Sequence, residues 1–171
     1  MRIGIVGLGS VLMGDDALGP YAVKLLEAAY EFPPEVSVID AGTPGPDLAD
    51  YLLGFDALII LDTVRSGGAP GQLRLIRREE ILRQPAGPRL SPHDPGLGEA
   101  LVRAELAGRA PREVLVIGVV PAAVALRTAL SPEVAAALPR VEAAVVEELA
   151  RLGVSPRKRP AAAAPEIWWE K

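Results

Sequence analysis

The sequence predicts an α/β fold, a three-layer α/β/α sandwich, on three observations. Short apolar runs typical of buried strands alternate with amphipathic helical segments, the pattern of a sheet covered by helices on both faces. The run Ala57–Leu61 is apolar on both sides, as a central parallel strand requires. The segment Gln72–Arg77 follows it too closely for a helical crossover, so we expect one antiparallel strand in a mostly parallel sheet.

The strands are predicted from their apolar patterns. Most are continuous apolar runs typical of buried strands, whereas Gln72–Arg77 alternates polar residues with leucines, which indicates an edge strand. In chain order, the predicted strands are Arg2–Gly9, Val36–Asp40, Ala57–Leu61, Gln72–Arg77 and Glu113–Val119.

The helices are predicted from apolar stripes and end signals. The first has an acidic pair in its first turn, where the helix dipole favours negative charge, and Pro33–Pro34 after its end. The last opens with a serine N-cap followed by proline and glutamate. In chain order, the predicted helices are 15–30, 47–53, 94–107 and one that opens at residues 131–133.

The length of 171 residues fits one compact domain. We assign residues 1–153 to a single α/β domain and residues 154–171 to a basic, Ala/Pro-rich tail. We expect this tail to be flexible or loosely docked. The pair Trp168–Trp169 near its end is either an interaction site or an incidental part of the tail.

Composition and charge exclude several classes of function. The formal net charge of −4 argues against a general nucleic-acid-binding protein, which usually has a basic balance. The absence of cysteine excludes a disulfide framework, a cysteine zinc site and a thiol nucleophile. No segment has the length and apolarity of a membrane span, and the N-terminus does not have the pattern of a signal peptide. We therefore expect a cytoplasmic protein with no membrane partner.

Polar candidates for a functional site cluster in the predicted fold at the carboxyl ends of strands. Asp15 and Asp16 follow the first strand after a short loop, and Asp62 ends the third strand. His93, the single histidine of the chain, precedes a predicted helix. Sites of open α/β sheets form at this edge, so we expect these side chains to meet.

Two carboxylates and one neutral imidazole make a plausible open site for a divalent metal such as zinc or nickel. A metal held there could polarise a carbonyl and lower the pKa of a bound water, which are two routes to hydrolysis. The spacing of Asp16, Asp62 and His93 matches no compact ligand motif. Asp15 is a secondary candidate that could instead serve the helix dipole, and Asp40 is another that could instead bond the backbone of the following turn.

The sequence resembles the hydrogenase maturation protease family in a series of short motifs that occur in one order. The first joins a glycine loop to an acidic pair, and the later ones include a Ser-x-His and a Leu-Ser-Pro. The motifs are Gly7–Gly19, Asp40–Thr43, Leu61–Asp62, Ala69–Gly71, Ser91–His93, Gly118–Pro121 and Leu130–Pro132. The chain departs from the family pattern at Ser10, where asparagine is usual, and at Ala41, where glycine is usual.

This resemblance implies a twisted five-stranded sheet and an endopeptidase activity. The implied substrate is the precursor of a nickel–iron hydrogenase large subunit, which loses a short C-terminal extension after nickel insertion. The resemblance places the metal-facing roles on Asp16, Asp62 and His93. The nickel then belongs to the substrate, and Asp16 or Asp62 helps to activate water. Zinc or cadmium could occupy the same site in vitro.

Three other interpretations stay open at this point. A dinucleotide-binding domain would explain Gly7 and Gly9, but the third glycine of its motif would fall on Leu12. A receiver-type signalling domain also has an acidic pair and a strand-end aspartate, but there the pair directly follows the strand. A binding-only member of the same fold is the third interpretation.

Overall fold

The computed structural model describes residues 1–83, 96–161 and 163–170. Its strands are β1 (Ile3–Leu8), β2 (Tyr30–Glu31), β3 (Val36–Gly42), β4 (Ala57–Thr63), β5 (Leu73–Arg77), β6 (Glu113–Val119) and β7 (Arg157–Lys158). Its helices are α1 (Leu18–Ala29), α2 (Leu48–Leu52), α3 (Arg78–Arg83), α4 (Leu97–Leu106), α5 (Pro132–Ala135) and α6 (Leu138–Arg151).

The main sheet has five strands in the order β3-β1-β4-β6-β5. All neighbours pair in parallel except β5, which runs antiparallel to β6. The predicted fold class is therefore confirmed, including the antiparallel edge strand. The parallel pairing places the carboxyl ends of β1 and β4 side by side, with Gly7 opposite Leu61.

Two apolar clusters fill the space between the sheet and its helices, one on each face. Alternate residues of β4 divide between them: Ile59 belongs to the cluster with α1 and α6, and Ile60 to the cluster with α2 and α4. Side chains of a strand point alternately to opposite faces, so a strand covered on both faces must be apolar throughout. This explains the continuous apolar run Ala57–Leu61.

Several predicted boundaries are wrong. The acidic pair does not lie in the first turn of an α-helix, because Gly14–Ala17 forms a separate 3-10 turn before α1. β4 continues beyond Asp62 to Thr63. Helix α3 has no counterpart among the predicted elements, and residues 84–95, which include the predicted start of a helix at residue 94, lie outside the described residues.

The prediction of one continuous helix after Ser131 is also wrong, because the structure has two helices there, α5 and α6. Ser131 caps α5 as predicted: its Oγ accepts a hydrogen bond from the backbone N–H of Val134 at 3.3 Å. Pro139 then lies at the start of α6. Proline has no N–H to donate to the preceding turn and is tolerated in the first turn of a helix, so a new helix begins here.

The described residues of the tail (residues 154–171) contact the domain at several places. β7 pairs with β2 in a short antiparallel ribbon. Near the end of the tail, a 3-10 turn (Trp168–Glu170) buries Trp169 against Ala17 and Tyr21. The predicted flexibility of the tail in solution stays a prediction. Across the described ranges, none of the helices combines the length and apolarity that crossing a membrane requires.

Candidate active site

The connection between β1 and the acidic turn (Gly14–Ala17) lies directly against the backbone of that turn. Gly9 has a φ of 126°, and a Cβ atom at Gly9 would lie 1.7 Å from the carbonyl oxygen of Asp16. No other residue type fits this position without moving the turn. The glycine predicted as part of a loop motif is therefore required by close packing of the chain on itself.

Asp16 lies on the acidic turn and is 5% exposed. Its Oδ2 accepts a hydrogen bond from the backbone N–H of Ser10 at 2.8 Å. The donor is a backbone group, so serine at position 10 provides it as well as asparagine would. The departure from the family pattern at Ser10 thus leaves this contact intact.

Asp62 is the penultimate residue of β4 and is 1% exposed. Its Oδ1 accepts a hydrogen bond from the backbone N–H of Thr63 at 2.6 Å. Its neighbour in the sheet is Gly118 of β6. The acidic turn contacts β4, so Asp16 and Asp62 come from adjacent pieces of chain at the carboxyl edge of the sheet.

Asp15 is fully buried and has a different environment from Asp16. Its Oδ2 accepts hydrogen bonds from Ala122 N at 2.8 Å, Ala123 N at 2.9 Å and Ser131 Oγ at 2.9 Å, and its Oδ1 accepts one from Ser131 N at 2.6 Å. The guanidinium of Arg127 lies 3.7 Å from Oδ1. Asp15 thus joins the acidic turn to the loop 121–131.

Burial by itself would raise the pKa of Asp15, because a carboxylate is less stable away from water. The hydrogen bonds from Ala123, Ser131 and Ala122 outweigh burial and hold the pKa of this carboxyl below its ordinary value. The ionised form is therefore the one that the surrounding backbone stabilises. Because both carboxylate oxygens of Asp15 accept hydrogen bonds from the loop 121–131, this side chain is suited to holding that loop in place.

The partners of Asp15 were not predicted from the sequence. Ser131 was interpreted as an N-cap, and it serves both purposes: its Oγ accepts from Val134 N and donates to Asp15. Arg127 also donates its backbone N–H to Leu12 O at 3.0 Å and accepts from Gly14 N at 2.8 Å. These contacts connect residues more than 100 positions apart, and no local pattern signals them.

Asp40 is exposed and its Oδ1 accepts a hydrogen bond from Gly42 N at 3.1 Å. This is the turn-forming interpretation that the sequence left open. Gly42 in turn accepts a hydrogen bond from Gly9 N at 2.8 Å, so the turn after β3 lies next to the loop after β1. Asp40 therefore lies at the same edge as Asp16 and shapes the backbone there.

His93 lies outside the described residues, so its predicted meeting with Asp16 and Asp62 stays a prediction. Within the ranges that the structure describes, no group of three or more histidine, cysteine, aspartate or glutamate side chains is arranged to hold a metal ion. Those ranges contribute two carboxylates to the predicted donor set. Carboxylates suit a divalent cation whose remaining ligands come from elsewhere.

Comparison with known proteins supports the resemblance noted in the sequence. The sequence model of the family described as hydrogenase maturation protease (HycI) matches residues 20–148, more than half of the chain. The chain belongs to the hydrogenase maturation protease family. The matched region of this family includes Asp40, Asp62 and the position of His93, whereas Asp15 and Asp16 precede it.

This chain aligns with part of some members of the hydrogenase maturation protease family and with nearly all of others. The chain is 39% identical over 117 residues, 68% of its length, to the hydrogenase expression/formation protein HoxM of Azotobacter vinelandii, but spans only 56% of that relative. It is 35% identical over 155 residues to the hydrogenase 2 maturation protease of Escherichia coli K12, covering 89% of this chain and 91% of that one.

The fold of the hydrogenase maturating endopeptidase HybD from E. coli agrees with this assignment. The two structures align with a TM-score of 0.85 and 32% identity, over 93% of this chain and 98% of the other. The five-stranded sheet with one antiparallel strand is therefore the sheet of this protease family.

Proposed function

We propose that this chain is a cytoplasmic endopeptidase that removes the C-terminal extension of a nickel–iron hydrogenase large-subunit precursor after nickel has been inserted. On this proposal the enzyme recognises nickel that the precursor already holds. Family membership supports the general activity, and a relative that the chain covers almost fully is a hydrogenase 2 maturation protease. The carboxylates at the sheet edge support the specific site.

The observation that carries the proposal is the pair of buried carboxylates at the carboxyl edge of the sheet. Asp16 and Asp62 are almost completely removed from solvent and come from adjacent pieces of chain. Burial of carboxylates costs free energy unless a hydrogen bond, a cation or a counter-charge stabilises them. A protein retains such a pair most readily where function requires it, and a metal ion is the partner that two carboxylates accept best.

The position of α4 supports the inclusion of His93 in the site. Leu97, the first residue of α4, lies four residues after His93 and is buried in the same apolar cluster as Val64. Val64 follows Asp62 by two residues. The chain therefore returns to the neighbourhood of β4 shortly after His93. A neutral imidazole from this segment would complete a carboxylate–carboxylate–imidazole donor set.

In the proposed reaction, Asp16, Asp62 and His93 complete the coordination of the substrate's nickel. This places the scissile peptide bond beside the two carboxylates. One of them, Asp16 or Asp62, accepts the proton of the attacking water. Zinc or cadmium from a buffer would stand in for the substrate's nickel in a free enzyme. On this proposal the partner of the enzyme is the large-subunit precursor, and the enzyme binds neither nucleic acid nor a membrane.

The test is cleavage of a nickel-loaded large-subunit precursor by the wild type and by Asp16→Asn. We expect the wild type to release a short C-terminal peptide, detected as a mass loss, and Asp16→Asn to lose at least about 100-fold in rate, as removal of a proton-accepting group typically does. Asp50→Asn, a change at an exposed aspartate, is the matched control and should cleave normally.

Two further results would contradict parts of the proposal. Equal cleavage of nickel-free and nickel-loaded precursor would reject recognition of the metal. No cleavage of a verified cognate precursor by the wild type would favour a binding-only member of the family.

A further inference from the structure

The two tryptophans of the tail occupy opposite environments. Trp169 is 6% exposed, whereas its neighbour Trp168 is 58% exposed. Burying an indole ring removes a large apolar area from water, so the position of Trp169 is a favourable part of the fold. The side of the domain that Trp169 covers is the side that carries the acidic turn.

Trp169 packs against the first residues after Asp16. Its ring meets that of Tyr21 edge to face, with 5.0 Å between centroids and 85° between planes. Ala17, which directly follows Asp16, belongs to the same buried cluster. Val11 and Leu130 pack on that cluster from the loops on either side. Trp169 therefore belongs to a buried cluster that joins the tail to the acidic turn, and both neighbouring loops pack on this cluster.

A polar contact accompanies this packing. The hydroxyl of Tyr21 lies within hydrogen-bond distance of two groups, the backbone carbonyl of Thr128 at 3.1 Å and the carboxylate of Glu170. Burial and the hydrogen bond with Glu170 raise the pKa of Tyr21 to about 12, so the hydroxyl stays protonated and remains a donor. Tyr21 thus links α1, the tail and the loop 121–131.

The tail reaches this position along α1. At the far end of the helix, β7 pairs with β2, and Arg159 donates its backbone N–H to Ala29 O at 2.8 Å. Ala163 N contacts Ala28 O at 3.2 Å, and Trp169 then covers Ala17 and Tyr21 at the start of α1. The tail is therefore attached at both ends of the helix that follows the acidic turn.

We propose that Trp169 and Glu170 are positioning residues for Asp16: the tail orders the acidic turn and the loops 9–13 and 121–131 by packing on Ala17 and Tyr21. The role in catalysis rests on the proposed endopeptidase function, whereas the ordering of the turn does not. Among the described residues, Trp169 and Glu170 contact Tyr21 and the cluster that includes Ala17, so each acts on Asp16 through the packing of the turn. Small displacements of a reacting group reduce rates strongly, which makes such ordering valuable.

The first experiment measures amide hydrogen exchange in the full chain for the wild type, Trp169→Ala and Trp168→Ala. The reporters are the N–H groups of Ser10, Gly14 and Asp15, which bond to Asp16 Oδ2, Arg127 O and Ala123 O. We expect Trp169→Ala to speed their exchange by at least about tenfold while Val116 in the central sheet is unchanged, the mark of a local opening. Trp168→Ala removes an edge contact with the Trp169 ring, with 5.6 Å between centroids, but leaves Trp169 packed on Tyr21, so it should stay close to the wild type.

The second experiment measures cleavage of the nickel-loaded precursor by the same proteins. We expect Trp169→Ala to lower kcat by about 10- to 100-fold with little change in KM, since the reacting groups are displaced but the substrate-binding surface is kept. Trp169→Phe should recover part of the rate, because an aromatic ring still packs on Tyr21. If Trp169→Ala does not fold, Tyr21→Phe, which removes the hydroxyl contacts with Glu170 and Thr128, replaces it in both experiments.

Unchanged exchange at Ser10, Gly14 and Asp15 would overturn the proposal. Faster exchange with full cleavage activity would overturn the positioning role. An inactive wild type would reject the endopeptidase function, and the exchange experiment would still decide whether the tail orders the turn.

Discussion

Two adjacent aspartates of the same turn have different environments and, we infer, different tasks. Asp15 accepts four hydrogen bonds from the loop 121–131, which leaves it no capacity for a substrate. Asp16 accepts one from Ser10 and lies on the turn that contacts β4. The acidic pair thus combines a residue that holds the backbone with a residue that is available for chemistry.

Replacing Asp15 with asparagine should destabilise the protein. The four hydrogen bonds to the Asp15 side chain all come from donors, and the amide nitrogen of asparagine would face one or more of them. Each hydrogen bond to a charged group contributes about 1.5–3 kcal/mol, so we expect the free energy of unfolding to fall by about 3 kcal/mol. Denaturant unfolding measures the change. Asp50→Asn is the control at an exposed site, and equal stabilities of the two variants would contradict the role assigned to Asp15.

At the scale of elements, the site depends on how closely α1 approaches the sheet. A Cβ atom at Gly19 would lie 2.3 Å from Leu8 O and 2.5 Å from Leu61 O, both backbone atoms. A Cβ atom at Gly7 on β1 would likewise lie 2.5 Å from Gly19 O. The pair of glycines lets the helix rest on β1 and β4 at the point where those strands carry the site. The family motif Gly7–Gly19 therefore includes a requirement of packing.

Gly19→Ala should separate α1 from the sheet. Alanine favours a helix by about 1 kcal/mol over glycine, but overpacking against backbone costs about 1–3 kcal/mol or more, and here the contacted atoms are held in two strands. We expect a net loss of about 2 kcal/mol in thermal or denaturant unfolding. Gly67→Ala, which meets no atom within 4 Å, should leave stability unchanged. A Gly19→Ala protein as stable as the wild type would show that α1 can move without cost.

At the scale of the whole molecule, an ion network joins elements at the end of the sheet away from the site. Glu148 of α6 is buried and accepts hydrogen bonds from Arg77 of β5 at 2.7 and 2.9 Å. Arg151 bonds both Glu148 and Glu113 of β6. Burial raises the pKa of Glu148, but the hydrogen bonds from Arg151 and Arg77 hold it below its ordinary value.

Glu148→Gln should lower stability and reduce its dependence on pH. Because the pKa is lowered in the folded state, the network stabilises the protein above the ordinary carboxyl range, about pH 4, and this stabilisation is lost as the pH falls further. We expect a loss of about 1–3 kcal/mol at pH 7, less than for a fully buried pair, because Arg77 and Arg151 are 39% and 45% exposed. Unfolding from pH 3 to 7 measures both effects. Glu147→Gln, on the exposed side of α6, is the control, and equal pH profiles for the two variants would contradict the assignment.

Local patterns were sufficient to predict the architecture. The apolar run Ala57–Leu61 identified the central strand, the short link before Gln72–Arg77 identified the antiparallel strand, and Ser131 identified a helix start. Each of these features depends on residues that are close together in the chain, so the sequence is sufficient to predict it. The break at Pro139 was missed although its signal is local, because the apolar pattern continues across it.

The sequence by itself determined the five strands of the main sheet, most of the helices, the family resemblance and the candidate aspartates, because each is expressed in residues close together in the chain. Only the tertiary structure decided that Asp15 holds the loop 121–131 and that Asp40 bonds its own turn. It also decided that Trp169 lies beneath the acidic turn. The roles of Asp15 and Trp169 depend on contacts between distant residues, whereas the bond of Asp40 is local and was one of two interpretations that the sequence left open. Which of two adjacent aspartates or tryptophans makes a given contact follows from the packing of the whole chain.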